Sequence, residues 1–97
     1  MNEQKLKGIL GLSLRAGQAV LGEDVCSRLI CSGRCAALFL DGEASGNTRR
    51  RYREMCERNS AEFVILPPGF IGAATGRDNM AIALREGAFA EQLKGCL

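Results

Sequence analysis

The sequence contains no histidine and no tryptophan, only two prolines, and five aromatic residues made up of four Phe and one Tyr. Without histidine, the commonest general acid–base group is missing. The five cysteines, Cys26, Cys31, Cys35, Cys56 and Cys96, form no Cys-x-x-Cys pair, and their spacing matches no structural zinc site. No apolar run approaches the ~20 residues that span a bilayer. The opening Met1-Asn2-Glu3-Gln4-Lys5 does not read as a secretory signal. These absences lead us to expect a cytoplasmic chain whose thiols are reduced and packed as small hydrophobes. They also exclude a membrane, a cofactor, a metal or a small-molecule substrate from the expected partners. A length of 97 residues, 46% of them hydrophobic, predicts a single domain over 1–97 with a mostly aliphatic core.

The net charge of +2 does not by itself announce a nucleic-acid binder. Its make-up says more, because most of the 13 cations are arginines and four of them fall in the run Arg49, Arg50, Arg51 and Arg53. The planar arginine fork suits bidentate contact with phosphate and guanine. A solvated helix face beside Glu54 and Glu57 explains the same run equally well.

Apolar spacing organises the chain into alternating helices and short strands. Leu6, Ile9, Leu10 and Leu14 recur on one helical face over 3–14, with Gly17 closing the helix. Ala19-Val20-Leu21 reads as a short strand. Gly22-Glu23-Asp24 opens a second helix with Val25, Cys26, Leu29 and Ile30 on one face, closed by Gly33. The unbroken apolar run from Cys35 to Leu40 marks a strand covered on both faces. Ser45 or Asn47 caps a third helix running to about Asn59, with Thr48, Tyr52, Met55 and Cys56 inward and Arg49, Arg50 and Arg53 outward. Glu62 to Leu66 reads as another buried strand. A short helix over 70–75, a strand over 80–84 and a helix over 87–94 complete the chain. This alternation predicts an α/β fold, a three-layer α/β/α sandwich around a four-stranded mixed sheet.

The motifs with chemical meaning exclude catalysis more readily than they support it. The glycines of Gly17-Gln-Ala-Val-Leu-Gly22 have phosphate-loop spacing, but Glu23-Asp24 stand where that loop requires Lys and then Ser or Thr. Acidic residues there repel phosphate. A cysteine nucleophile needs a neighbouring cation, and only the sequence proximity of Cys26 and Cys31 to Arg28 and Arg34 hints at one. The start of the second helix has two readings. Gly22, Glu23 and Asp24 form an ordinary first turn that complements the helix dipole. Alternatively, the glycine admits another backbone, the carboxylates accept hydrogen bonds from base amino groups, and Arg28 holds the RNA backbone.

Three further stretches give the sequence a recognisable look. They are Leu10-Gly11-Leu12-Ser13-Leu14-Arg15-Ala16-Gly17, then Gly22-Glu23-Asp24, then Glu43-Ala44-Ser45-Gly46-Asn47-Thr48-Arg49-Arg50. With Ile71-Gly72-Ala73-Ala74-Thr75-Gly76-Arg77 and Gly87-Ala88-Phe89-Ala90 they resemble the kink-turn RNA-binding ribosomal-protein family, of the large-subunit seven-Ae and thirty-e type, and within it the bacterial YlxQ-like branch. The resemblance runs over nearly the whole chain. It implies the sandwich fold, no enzymatic activity and an RNA surface built from the start of the second helix and the loop before the fourth. The family's helix start reads Gly-x-Asn-Glu-x-x-Lys. Gly22 matches the glycine and Arg28 replaces the lysine, while Asp24 stands in place of Asn and Val25 in place of Glu.

By the same resemblance, Phe70 or Ile71 covers an extruded nucleotide. The RNA-binding set is then Gly22, Glu23, Asp24, Arg28, Phe70, Ile71, Arg49 and Arg50. The expected partner is structured RNA, foremost ribosomal RNA, in a monomeric ribonucleoprotein component linked to the ribosome or translation. The alternative is a protein-interaction module on the same fold that has lost kink-turn recognition.

Overall fold

The computed structural model describes residues 2–96. Along the chain it forms α1 (Glu3–Arg15), β1 (Ala19–Leu21), α2 (Glu23–Cys31), β2 (Cys35–Asp41), α3 (Gly46–Arg58), β3 (Glu62–Leu66), α4 (Phe70–Thr75), β4 (Ala81–Arg85) and α5 (Ala88–Lys94). The strands make one mixed sheet in the order β1-β4-β2-β3. β4 is antiparallel to both β1 and β2, whereas β2 and β3 run parallel. The expected α/β sandwich is therefore present.

Side-chain alternation along the strands builds the two faces. Ala37, Phe39, Ile82 and Leu84 pack with Leu6, Ile9 and Leu10 of α1, Phe70 and Ile71 of α4, and Ala90 and Leu93 of α5. Leu38, Leu40, Ala81 and Ala83 pack with Cys26, Leu29 and Ile30 of α2 and with Tyr52, Met55 and Cys56 of α3. With both faces covered, β2 has no solvent side, which is why it reads as a continuous apolar run. A register shift between Cys35 and Ala37 interrupts the β2–β4 ladder. One extra residue reverses the alternation, so Cys35 joins the α2–α3 side although Ala37 lies on the other.

Local chemistry sets the helix ends. Asn2 caps α1 by accepting from the Lys5 amide at 3.1 Å. Ser45 caps α3, its Oγ 3.2 Å from the Thr48 amide, while Asn47 accepts from Arg50 instead. Gly11 sits where α1 meets α4. A Cβ there would lie 2.7 Å from the Ala74 carbonyl oxygen, so any larger residue forces the two helices apart.

Two expectations need correcting. β3 is not a buried strand: it pairs only with β2 at the sheet edge. Leu66 is its one buried residue and Ile65 is exposed. An apolar run cannot tell an edge strand from a central one, because the difference lies in pairing. The last strand also begins at Ala81, with Met80 exposed ahead of it.

Candidate nucleic-acid interface

The start of α2 is fixed by backbone geometry. Gly22 adopts φ 103° and ψ 144°, a conformation that side-chain-bearing residues avoid. Its amide donates to the Ala81 carbonyl at 3.2 Å, and its own carbonyl accepts the first helical bond from Cys26 at 2.9 Å. No side chain caps this terminus, which leaves it with open donors and the positive end of the helix dipole.

α3 holds this start in place from beneath. The Tyr52 hydroxyl donates to the Glu23 carbonyl at 3.0 Å and accepts from Ser27 Oγ at 3.5 Å. Tyr52 is fully buried, and that burial raises its pKa. Arg51 reaches over the same turn to Glu23, with 2.9 Å between guanidinium nitrogen and carboxylate oxygen. Sequence reasoning treats Tyr52 as core alone. Its part in anchoring α2 depends on a contact between residues far apart in the chain, and no local pattern signals it.

The C-terminal ends of β1, β2 and β3 meet the start of β4 at one end of the sheet. Asp41, at the end of β2, is buried. Its Oδ1 accepts from the Glu43 amide at 2.8 Å and its Oδ2 from the Gly69 amide at 3.1 Å. Its own amide donates to Met80 at 2.8 Å. One carboxylate thus ties the β2–α3 turn to the loop before α4. Beside it opens a cleft of about 560 Å³ lined by Asp41, Glu43, Pro68, Gly69, Gly72, Asp78, Asn79 and Met80. The fold brings the Gly22 helix start and the loop before α4 to this same end.

The candidate residues divide into two groups. Glu23, Asp24, Arg28 and Arg50 are exposed, and Val25 is 39% exposed. Phe70 and Ile71 are not at the surface: they are 4% and 0% exposed and belong to the α1–α4–α5 core. The ammonium of Lys7 sits 5.2 Å from the Phe70 ring centroid. A helix as short as α4 attaches to the sheet through its own first apolar residues, so both side chains face the core and not the surface expected of a base-covering residue. Arg49 does not point outward either. It is half-buried and its guanidinium donates to the Gly42 carbonyl.

The thiols offer no nucleophile in the core. Burial raises Cys26 and Cys56 to about 12 and Cys35 to about 11, so these groups stay protonated at neutral pH. Cys96 is also buried, but Cys31 is exposed and does not pack as a core residue. Among the described residues, no group of three or more Cys, Asp or Glu is placed to hold a metal ion. No helix there is long and apolar enough to cross a membrane.

No protein-family model matches the chain. It is 23% identical over 94 residues to the RNA-binding protein YlxQ of Enterococcus faecium, a match covering 96% of this chain and 91% of that protein. Its fold is similar to that of a Bacillus halodurans protein of unknown function, with TM-score 0.84, 21% identity and 93% of each chain covered. It is also similar to the Giardia lamblia 15.5kD RNA binding protein, with TM-score 0.73, 8% identity, and 97% of this chain and 88% of that one covered. The sandwich is thus a fold that this chain shares with proteins of very different sequence.

Proposed function

We propose that this protein is a non-catalytic RNA-binding protein of the kink-turn-binding ribosomal-protein type. It takes structured RNA, foremost ribosomal RNA, at the start of α2, as a monomer acting in the cytoplasm with the ribosome or translation. The observation that carries this reading is the uncapped helix start at Gly22 with an exposed Arg28 on the same helix. A sequence relative named as an RNA-binding protein and a structural neighbour named likewise support it.

The side chains at that start shape the specificity. Asp24 accepts but cannot donate as asparagine does, and Val25 does neither. Without such a base-specific hydrogen bond, discrimination falls by ~1–3 kcal/mol per position. Affinity then rests on phosphate contacts through Arg28 and Arg50, and preference for a kink-turn over other structured RNA is weak.

The test is fluorescence anisotropy with a kink-turn RNA and a plain hairpin. Affinity for both should fall steeply with salt, and Arg28→Ala should weaken binding about tenfold, the loss of one charge-assisted hydrogen bond. Unchanged affinity for Arg28→Ala contradicts the assigned site.

The exposed Val25 also favours a second reading, a protein-docking module on the same fold. Partners captured from lysate that survive nuclease treatment support that reading; partners that disappear with the RNA support the first.

A further inference from the structure

On the α2 side of the sheet, away from the Asp41 cleft, a groove of about 320 Å³ is lined by Val20, Val25, Arg28, Leu29, Ser32, Arg34 and Arg85. Three arginines from three elements converge on it: Arg28 from α2, Arg34 from the turn after it, and Arg85 from the end of β4. Among the described residues, none of the three guanidinium groups takes part in an ion pair or a side-chain hydrogen bond. Glu86, next in the chain, lines a different hollow with Ser60, Glu62 and Glu91.

The backbone makes this convergence rigid. Arg85 lies opposite Cys35 where the β2–β4 register shifts. The Arg34 carbonyl accepts from the Glu86 amide at 3.2 Å, and the Arg85 amide donates to Gln18 at 2.8 Å. The end of α2 would ordinarily present negative carbonyls here. Ser32 offsets them, its Oγ donating to Leu29 at 2.6 Å and its amide to Arg28 at 3.1 Å. The groove thus sets three guanidinium groups without ion-pair partners among the described residues beside the apolar side chains of Val20, Val25 and Leu29. That combination suits a sugar–phosphate strand better than a free phosphate ion, which has no use for the apolar lining.

We infer that this groove binds backbone phosphates of a single-stranded RNA segment that continues along α2 from the structured part held at Gly22. The inference rests on the RNA-binding reading above and extends its footprint by Arg34 and Arg85. The nine residues of α2 rise about 13 Å, so the helix itself carries the strand from one site to the other.

The test compares a hairpin with and without a single-stranded flank, using the wild-type protein, Arg34→Ala/Arg85→Ala and Arg34→Lys/Arg85→Lys. The flank should tighten wild-type binding about tenfold and steepen the salt dependence by about one to two phosphate contacts. The double alanine variant should lose that gain and still bind the unflanked hairpin like wild type, while the double lysine variant keeps part of it. Arg34→Ala alone, at an exposed turn, serves if the double variant melts early. Equal flank gains in wild type and alanine variant overturn the groove and leave RNA binding at Gly22 standing. Wild-type protein that binds neither RNA overturns both readings. Displacement of the flank by low concentrations of inorganic pyrophosphate would mean that the groove takes a free phosphate ligand, which contradicts the RNA strand.

Discussion

Two regions of the molecule use polar groups in opposite ways. At the Gly22–Asp41 end of the sheet, the protein consumes its own side chains. Asp41 is taken up by two loop amides, the Tyr52 hydroxyl by the Glu23 carbonyl, the Glu23 carboxylate by Arg51 and the Arg49 guanidinium by Gly42. Along α2, by contrast, Arg28, Arg34 and Arg85 line a groove with no partner among the described residues. The first region is a scaffold that fixes a helix start and two loops. The second is free charge held on rigid backbone. Substitutions of these consumed groups should therefore lower stability first and binding only as a consequence, whereas substitutions of the groove arginines should lower RNA binding and change the melting temperature little.

The largest effect on this contrast is expected from Asp41→Ala. It strips two amides of a charged acceptor, and hydrogen bonds to charged groups contribute roughly 1.5–3 kcal/mol each. Thermal or urea unfolding should show a loss of about 2–4 kcal/mol, taking partial solvation of the freed amides into account. A loss below about 1 kcal/mol would mean that the loops hold themselves without Asp41.

Tyr52→Phe comes next, with a cost of about 1 kcal/mol, because it removes the hydroxyl that donates to the Glu23 carbonyl while keeping the ring in the core. If the Gly22 start depends on that anchor, RNA affinity falls slightly as well, which an anisotropy titration at fixed salt reads directly. Arg51→Ala should matter least. Its ion pair with Glu23 is 57% and 46% exposed, and exposed pairs contribute at most about 1 kcal/mol. A melting temperature within error of wild type is the expected result, and a clear drop would move Arg51 into the scaffold.

The parts of the fold that depend on local pattern are legible in the sequence. The period of Leu6, Ile9, Leu10 and Leu14 gives α1, the unbroken apolar run gives β2, and the glycines at 22 and 33 bracket α2. What resists reading depends on partners distant in the chain. The edge position of β3 is set by which strand it pairs with, and its residues look like those of a central strand. Phe70 and Ile71 open the short helix that the sequence predicts, and the resemblance gives them a base to cover, but in the fold they are buried with α1 and the sheet. Arg49 belongs to a basic run, yet the Gly42 carbonyl lies within its reach and turns it inward.

The site follows the same division. Gly22 and Arg28 are visible as a helix start and a cation on the same helix. Tyr52 as an anchor and Arg34 with Arg85 as a pair are not visible, because a strand crossover and a register shift bring them together. The exposed Cys31 is a related case: sequence alone treats all five cysteines alike, and only the helix face separates it from the four buried ones.

The measurement that most directly tests RNA binding at the start of α2 is a map of amide chemical-shift changes as a structured RNA is added. Changes concentrated on Gly22–Arg28, spreading to Arg34 and Arg85 when the RNA carries a single-stranded flank and leaving α5 unmoved, are the predicted result. Changes centred on α5 or the β3 edge, with Gly22–Arg28 undisturbed, would contradict it.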